Sequence, residues 1–291
     1  MSANSVQSAY IGRFAPSPTG PLHLGSLLAA LASYVDARAH RGAWLVRMED
    51  LDPPREVRGA QDEILRSLEA HGLQWDQEIM RQSARSEHYA TALSKLTDRG
   101  LIFRCRCTRR ELEGAIYPGT CRSRRVSVNE AHALRVRVPD ASITFTDLNL
   151  GKVSQNLARD VGDFIVRRRD GLHAYQLAVV VDDEAQNVTH VVRGSDLLDN
   201  TPRQIFLQRA LGLATPSYLH VPVITTPGGR KLSKQTGARA LDSTRASDNL
   251  RDVLRRLGHP PPNALCGAKP RDLLRWAVTH WQREKLPTNR V

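Results

Sequence analysis

The spacing of apolar residues over the first hundred positions predicts strands that alternate with helices. Predicted strands run from Tyr10 to Pro16, where the chain enters a loop, and from Ala43 to Met48. Between them, leucines and a valine recur at helical spacing from His23 to His40, with a glycine just beyond. Two more helices are predicted from Val57 to Ala70 and from Ser86 to Arg99. This alternation indicates an α/β protein with a parallel sheet.

The pattern changes between Leu101 and Val181, where short strands rich in arginine alternate with turns. We interpret this stretch as an insertion, because the α/β alternation resumes after it. The later predicted elements are a strand from Val188 to Val192, a helix from Thr201 to Leu211, a strand from Leu219 to Ile224, and helices from Asn249 to Leu257 and from Arg271 to Trp281. The predicted organisation is a core of residues 1–100 and 182–240, an α+β insertion of residues 101–181 and a short helical tail of residues 241–291.

Composition narrows the class of protein. Apolar residues make up 41% of the 291 positions and charged residues 25%, as in ordinary globular proteins. No apolar run could span a membrane and the first eight residues lack a secretory signal, so we expect a cytoplasmic protein with no membrane partner. The 42 Lys and Arg against 30 Asp and Glu give a net charge of +12, which favours a polyanionic partner such as nucleic acid. An excess of arginine also follows from a GC-rich genome, so composition alone does not choose the partner.

A loop rich in proline and glycine connects the first predicted strand to the first helix. In a parallel sheet, the start of such a helix presents free amide groups and a partial positive charge, where an anion can bind. His23 at this start can donate a hydrogen bond to a phosphate oxygen, and Gly25 allows a flat ring to approach the backbone. Taken alone, these residues equally suit an ordinary helix start with a surface histidine.

A second loop, from Thr226 to Gly237, carries two of the chain's six lysines, Lys231 and Lys234. Glycines flank the lysines, so the loop can move and close its cationic side chains on phosphates. Cations positioned in this way stabilise the charge that develops during phosphoryl chemistry. The alternative interpretation is a solvated basic hairpin.

Together the two loops resemble the paired signatures of class I aminoacyl-tRNA synthetases. His23-Leu24-Gly25-Ser26 matches the motif known as HIGH, and Lys231-Leu232-Ser233-Lys234-Gln235 matches the KMSKS loop. Residues 13–20, 47–52, 175–183 and 192–196 are similar to the glutamate-specific branch of that family. The resemblance covers residues 10–237 and departs from the family at Ser26 and Gln235, which we interpret as variants because His23 and Lys234 are retained.

The resemblance implies a Rossmann-like catalytic core with an ATP site formed by His23, Gly25 and Lys234. Catalytic roles fall to His23, Lys231 and Lys234. In the implied reaction the α-carboxylate of L-glutamate attacks the α-phosphate of ATP, pyrophosphate leaves and a glutamyl-adenylate remains. The enzyme contributes positioning and electrostatic stabilisation, and Mg²⁺ is expected to accompany ATP.

A pocket for glutamate is also implied, and it needs cations for carboxylates and an anion for the ammonium group. Arg13 and Arg193 each offer a planar fork to a carboxylate, and Tyr175 adds a hydroxyl. Glu49 and Ser17 suit the ammonium end. The remaining residues of the implied pocket follow the first strand directly: Phe14, Ala15 and Pro16. Salt bridges and a core tyrosine are the structural alternative.

Only about 55 residues follow the lysine loop, which leaves room for two or three helices. Glutamyl-tRNA synthetases carry a large helical domain that reads the anticodon, and the tail is too short for one. The chain is therefore similar to the truncated paralogues of this family, which attach glutamate to queuosine, a modified base in the anticodon of tRNA(Asp). Two alternatives stay open: a truncated enzyme that charges the 3′ end of tRNA(Glu), and a non-catalytic RNA-binding paralogue.

Three cysteines and a tyrosine crowd into 17 residues of the insertion, with the spacing Cys105-x-Cys107 and Tyr117-x₃-Cys121. Spacing alone leaves a metal site and unliganded thiols about equally open. The family resemblance implies one structural, tetrahedral Zn²⁺ held by Cys105, Cys107, Tyr117 and Cys121, with Cys266 an ordinary thiol. Seven arginines between positions 104 and 125 surround this module and either contact the RNA backbone or form a solvated face.

Overall fold

Strands and helices alternate through most of the computed structural model, which describes residues 9–112, 116–225 and 239–288. The strands are β1 (Ile11–Phe14), β2 (Ala43–Met48), β3 (Met80–Arg81), β4 (Ile102–Cys105), β5 (Ala133–Val136), β6 (Ser142–Asp147), β7 (Gly151–Asn156), β8 (Phe164–Arg167), β9 (His190–Gly194) and β10 (Ser217–Val221). The helices are α1 (Leu24–Ala39), α2 (Ala60–Ala70), α3 (Ser86–Asp98), α4 (Arg109–Leu112), α5 (Leu157–Asp160), α6 (Tyr175–Ala185), α7 (Thr201–Leu211), α8 (Ala246–Arg256) and α9 (Pro270–His280).

Two sheets with parallel pairing lie side by side. One has the order β1-β2-β3, and the other has the order β7-β6-β10-β9. They adjoin at β1 and β9, where the N–H of Thr189 donates to the carbonyl of Ile11 at 2.9 Å. The combined order β3-β2-β1-β9-β10 is that of a doubly wound, Rossmann-like sheet, whose direction of winding reverses between β1 and β9. Ligands bind at such a point, beyond the carboxyl ends of the strands.

The insertion contributes to both a separate sheet and the central one. Strands β4, β5 and β8 form an antiparallel sheet, whereas the hairpin β6–β7 joins β10 through the pair Tyr218 and Asp147. The expectation of strands and turns throughout 101–181 is wrong at its end, because α6 begins at Tyr175. The apolar run from Leu177 to Val180 favours a strand locally, but as a helix it is buried in the core shared with α3 and α7. The division at residues 100, 181 and 240 stays a prediction.

Helix α1 is the centre of the first core. Its predicted leucine face is buried, and the tail helices α8 and α9 pack against it. Asp36, fully buried on α1, accepts hydrogen bonds from Tyr10 at 2.5 Å, Trp281 at 2.8 Å and Arg283 at 2.7 Å. These contacts fix the tail to the first half of the chain. None of the helices in the described part of the chain is long and apolar enough to cross a membrane.

Candidate active site

The predicted site residues gather at the carboxyl ends of β1, β2 and β9. Ala15, Pro16 and Ser17 follow β1, Glu49 follows β2, and Arg193 lies near the end of β9. The N–H of Glu49 donates to the carbonyl of Pro16 at 3.0 Å, which joins the first two of these segments. Parallel strands bring residues that are distant in sequence to one edge of the sheet, so the sequence patterns and the topology agree.

His23 caps the N-terminus of α1. Its Nδ1 accepts a hydrogen bond from the backbone N–H of Ser26 at 3.2 Å, so the proton of the neutral ring lies on Nε2. Gly25 lies in the first turn behind it. Lys231 and Lys234 lie outside the described residues, but the chain re-enters the described part directly beside His23. There Ala240 forms an antiparallel bridge with His23, and the N–H of Leu241 donates to the carbonyl of Leu22 at 2.9 Å.

A cavity of about 160 Å³ opens beside Glu49. Three predicted glutamate ligands line it: Ser17, Glu49 and Tyr175. The other lining residues are Pro18, Thr19, Leu51, Asp52, Arg55, Glu56, Gln82, Arg168, His173 and Ala174. Phe14 is buried in the core instead. Neither Arg13 nor Arg193 is in this lining, so the two predicted cations lie behind the cavity wall.

Arg13 belongs to a buried charge network. Its Nε lies 3.1 Å from Oδ1 of Asp183, and the same oxygen lies 2.8 Å from Nη2 of Arg47. Nη2 of Arg47 in turn lies 3.5 Å from Oε1 of Glu49. Although burial opposes the charged form, Arg13 and Arg47 hold the pKa of Asp183 below its usual range. Two guanidinium groups therefore face two carboxylates within one buried cluster.

Glu49 is the member of this cluster that reaches the cavity. Burial raises its pKa to about 7, against the opposing influence of Arg47 and Arg13. Because burial disfavours the ionised form of Glu49, a cation beside the carboxylate would stabilise that form strongly. Glu49 is therefore suited to bind an ammonium group that enters the cavity.

Arg193 is held at the end of β9 by four groups. Its Nη1 donates to the hydroxyl of Tyr175 at 3.3 Å, and its Nη2 donates to the hydroxyl of Thr201 at 2.7 Å and to the carbonyl of Leu197 at 3.4 Å. Its Nε donates to Nε2 of His220 at 3.1 Å. Tyr175 lines the cavity, so its hydrogen bond with Arg193 joins the cavity wall to the buried residues His220 and Thr201.

His220 is itself fixed by Asp147. Nδ1 of His220 lies 2.6 Å from Oδ2 of Asp147, and both side chains are fully buried. Burial lowers the pKa of His220, so the ring is neutral near pH 7, with Nδ1–H donating to the carboxylate and Nε2 free to accept from Arg193. A guanidinium is always charged and only donates hydrogen bonds, so its partner nitrogen must carry no proton, as Nε2 does in this tautomer.

Sequence reasoning did not assign site roles to Arg47, Asp183, His220, Asp147 or Thr201. Arg47 and Asp183 do carry a signal, because each interrupts or ends an apolar run, where a charge is tolerated only with a partner. The other three have no such signal. Their contacts join β6, β10 and α7, and only the folded sheet brings them together.

The predicted metal ligands converge. The sulfur atoms of Cys105, Cys107 and Cys121 all lie within 4.8 Å of one another, and those of Cys107 and Cys121 are 3.6 Å apart. The hydroxyl of Tyr117 lies 3.5 Å from the sulfur of Cys105 and accepts a hydrogen bond from the N–H of Cys121 at 2.7 Å. Gly162, at φ +73°, forms a bridge with Tyr117 and leaves room for its backbone.

This arrangement fits Zn²⁺. Tetrahedral Zn–S bonds of about 2.3 Å place two sulfur atoms about 3.8 Å apart, close to the observed separation of Cys107 and Cys121. Burial and neighbouring thiols raise the pKa of Cys107 to about 11, and burial raises the pKa of the Tyr117 phenol. Without a cation Cys107 and Tyr117 are therefore protonated, and a metal that binds them would release their protons.

The arginines around the module have different surroundings. Arg122 forms a two-pronged ion pair with the buried Asp163, with both contacts at 2.6 Å, and Arg106 lies 3.5 Å from Glu130. These two arginines have structural partners. Four others are exposed on the surface, namely Arg104, Arg110, Arg124 and Arg125. Contact with RNA at this face stays a prediction.

Comparisons with known proteins show what the chain is similar to. A family model described as tRNA synthetases class I (E and Q), catalytic domain, matches residues 11–117 and 120–265. A protein of Thiobacillus denitrificans named Glutamyl-Q tRNA(Asp) synthetase is 58% identical over 98% of this chain and 97% of its own length. A protein of the same name from Ectopseudomonas mendocina is 54% identical over 98% of both chains.

Solved structures agree on the fold. A glutamate tRNA ligase from Elizabethkingia meningosepticum, in complex with its amino acid, superposes with a TM-score of 0.79 at 24% identity. A glutamate-tRNA synthetase from Elizabethkingia anophelis superposes with a TM-score of 0.80, also at 24% identity. The alignments cover 96% and 97% of this chain, which spans about two thirds of the length of each of those proteins, 66% and 67%.

Proposed function

The chain belongs to the class I tRNA synthetases of the E and Q group, and we propose that it activates L-glutamate with ATP and transfers it to queuosine in tRNA(Asp). Family membership makes the protein a ligase. The observation that supports the specific acceptor is the name carried by relatives that are 58% and 54% identical over nearly the whole chain. The proposed reaction takes place in the cytoplasm, where tRNA is available.

The first step needs ATP and glutamate held in line. ATP lies at the N-terminus of α1, where free backbone amides and Nε2–H of His23 donate to phosphate oxygens. Lys231 and Lys234 close over the phosphates from the loop that ends beside His23 at Ala240. The α-carboxylate oxygen of glutamate attacks the α-phosphorus, the bond to the bridging oxygen breaks, and pyrophosphate leaves. Mg²⁺ bound with ATP neutralises phosphate charge.

Recognition of glutamate uses the cavity beside Glu49. The ammonium group pairs with Glu49 and contacts Ser17, both of which line the cavity. The side-chain carboxylate accepts a hydrogen bond from the Tyr175 hydroxyl, which the guanidinium of Arg193 holds and polarises from behind the cavity wall. Arg13, engaged with Asp183, adds positive charge to the same wall. The α-carboxylate stays free to attack ATP.

In the second step a ring hydroxyl of queuosine attacks the carbonyl of the glutamyl-adenylate. An ester bond forms, the bond from the carbonyl carbon to the phosphate oxygen breaks, and AMP leaves with its electron pair. The base must be splayed from the anticodon loop to reach the adenylate. Cys105, Cys107, Cys121 and Tyr117 would hold a structural Zn²⁺, which would stabilise the fold of the insertion.

Two assays test this proposal. Glutamate-dependent exchange of pyrophosphate into ATP, measured without tRNA, should be robust, and its absence would refute an activating enzyme. Labelled glutamate is then offered with tRNA(Asp) that contains queuosine, tRNA(Asp) that lacks it, and tRNA(Glu). Only the first should become labelled, and labelling of tRNA(Glu) would indicate a truncated enzyme that charges the 3′ end.

A further inference from the structure

A second and larger cavity, of about 810 Å³, opens between α8 and the segment that follows the lysine loop. Its lining comprises Leu24, Arg239, Ala240, Leu241, Asp242, Arg245, Asp248, Asn249, Arg251, Asp252, Arg255 and Cys266. Polar side chains dominate this lining, and four of them are arginines. None of these residues belongs to the glutamate cavity.

Arg251 is the unusual member of the lining. Only 7% of its surface is exposed, and its Nη1 is buried with no hydrogen-bond partner. Among the described residues no carboxylate pairs with its guanidinium. A guanidinium is charged at every physiological pH, and a buried charge is stable only with an opposite charge beside it. The cavity therefore presents a cation whose counter-ion has to come from outside the described chain.

The carboxylates of the same cavity are already engaged. Asp248 lies 3.3 Å from Arg245, and Asp252 lies 3.1 Å from Arg256. Asp242 accepts hydrogen bonds from the N–H and the hydroxyl of Thr244 at 3.0 and 2.6 Å. Asp248 and Asp252 are thus ion-paired with nearby arginines, and Asp242 is hydrogen-bonded within its own turn.

Two exposed arginines extend the charge beyond Arg251. Arg255 lies one turn farther along α8, and Arg239 lies across the cavity on the segment after the lysine loop. Neither guanidinium forms an ion pair within residues 9–112, 116–225 and 239–288. Guanidinium groups spread along one helix match the successive phosphates of a chain better than a single compact anion.

We propose that this cavity binds backbone phosphates of the tRNA, with Arg251 as its central contact and Arg255 and Arg239 on either side. The inference rests on the proposed function for the identity of the RNA. It assigns RNA contacts to α8, which packs against α1 and lines the same cavity as Ala240, the residue that forms the bridge with His23. RNA bound there would lie against the segment that ends the lysine loop.

The test measures RNA binding directly, so it does not depend on transfer activity. Binding of queuosine-containing tRNA(Asp) to the full chain is followed by fluorescence anisotropy at several salt concentrations. Arg251→Gln and Arg255→Gln should each weaken binding about tenfold and reduce the slope of log K against log salt by about 1. Arg275→Gln is the matched control: it removes an exposed arginine of the neighbouring helix α9, both Arg275 and its partner Asp272 lie outside the cavity lining, and affinity and slope should stay unchanged.

Pyrophosphate exchange without tRNA separates the alternatives. It should be unchanged in Arg251→Gln and Arg255→Gln, and a rise in KM for ATP would instead assign the cavity to the nucleotide and overturn the proposal. Unchanged RNA affinity in the exposed variants Arg255→Gln and Arg239→Gln would also overturn it, even if Arg251→Gln failed to fold. If the wild-type chain binds tRNA(Asp) with the expected slope but does not transfer glutamate, the proposed function fails and this inference stands.

Discussion

Replacing His220 by alanine tests how glutamate recognition is built. The change removes the acceptor for Nε of Arg193 and the donor to Asp147 in one step, at a position with no exposed surface. Asp147 keeps the backbone N–H groups of Asn149, Leu150 and residue 220 as donors, so the change costs the lost side-chain hydrogen bonds, about 1.5–3 kcal/mol of folding free energy. At about 2–4 °C per kcal/mol, we expect the melting temperature to fall by about 3–12 °C.

The effect on catalysis should be selective. A hydrogen bond to a charged group contributes about 1.5–3 kcal/mol, which corresponds to roughly a 10- to 100-fold change in affinity. We therefore expect His220→Ala to raise KM for glutamate by at least tenfold in pyrophosphate exchange, with KM for ATP unchanged. His220→Gln should recover most of the loss, because its amide can accept from Arg193 and donate to Asp147.

Comparing KM for glutamate with KM for ATP distinguishes a binding defect from a structural one. A purely structural defect would lower the active fraction and reduce kcat with both KM values intact. If folded His220→Ala shows an unchanged KM for glutamate, or equal changes for glutamate and ATP, the network does not position Arg193 for glutamate. Thr201→Val provides a second check on the same network, since it removes the hydroxyl that accepts from the guanidinium at 2.7 Å and that lies 3.2 Å from Nε2 of His220.

Three further predictions concern the other parts of the site. Because the pKa of Glu49 is raised to about 7, the carboxylate is protonated below that pH; KM for glutamate should fall about tenfold per pH unit as pH rises towards 7 and then level off. Glu49→Gln should abolish this dependence, and a profile that stays the same in the variant would exclude Glu49 as its source. Cys121→Ser should reduce bound zinc measured by atomic emission, whereas Cys266→Ser, at an exposed thiol, should not; equal zinc contents would contradict the cluster. Gly162→Ala should destabilise the protein by about 1–3 kcal/mol in urea, because the added Cβ would lie 2.8 Å from backbone atoms at positive φ. Gly151→Ala has a similar φ of +74° but open space around it, so a loss as large as that of Gly162→Ala would refute the steric argument.

Local patterns predicted most of the α/β elements. The strand Ala43–Met48 and the helix Thr201–Leu211 have the expected bounds, and α1 differs from its prediction only by its two capping residues. The helix that begins at Tyr175 was not predicted, because its run of valines locally favours a strand. Tertiary packing buries this run on several sides, and there it forms a helix. Local signals thus predict an element well where its residue types favour the conformation that the element adopts in the fold.

The site was predictable as a set of residue types but not as a network. The sequence patterns pointed to Arg13 and Glu49, and the structure places both in one cluster at the carboxyl edge of the sheet. The partner of Arg13, Asp183, is 170 positions away, and no periodicity reports such a pairing. Asp147 is a further case, because a predicted insertion gave no reason to expect one of its residues to contact His220 of β10 in the core. The roles assigned to Lys231 and Lys234 stay predictions.

The position of β10 limits when its sheet can be completed during synthesis of the protein. This strand is made after β6 and β9, yet it lies between them, pairing in parallel with both. Neither neighbour can complete its ladder while the ribosome still holds the segment up to Val221. In a nascent chain this sheet therefore closes only late in synthesis, after all of its strands have emerged.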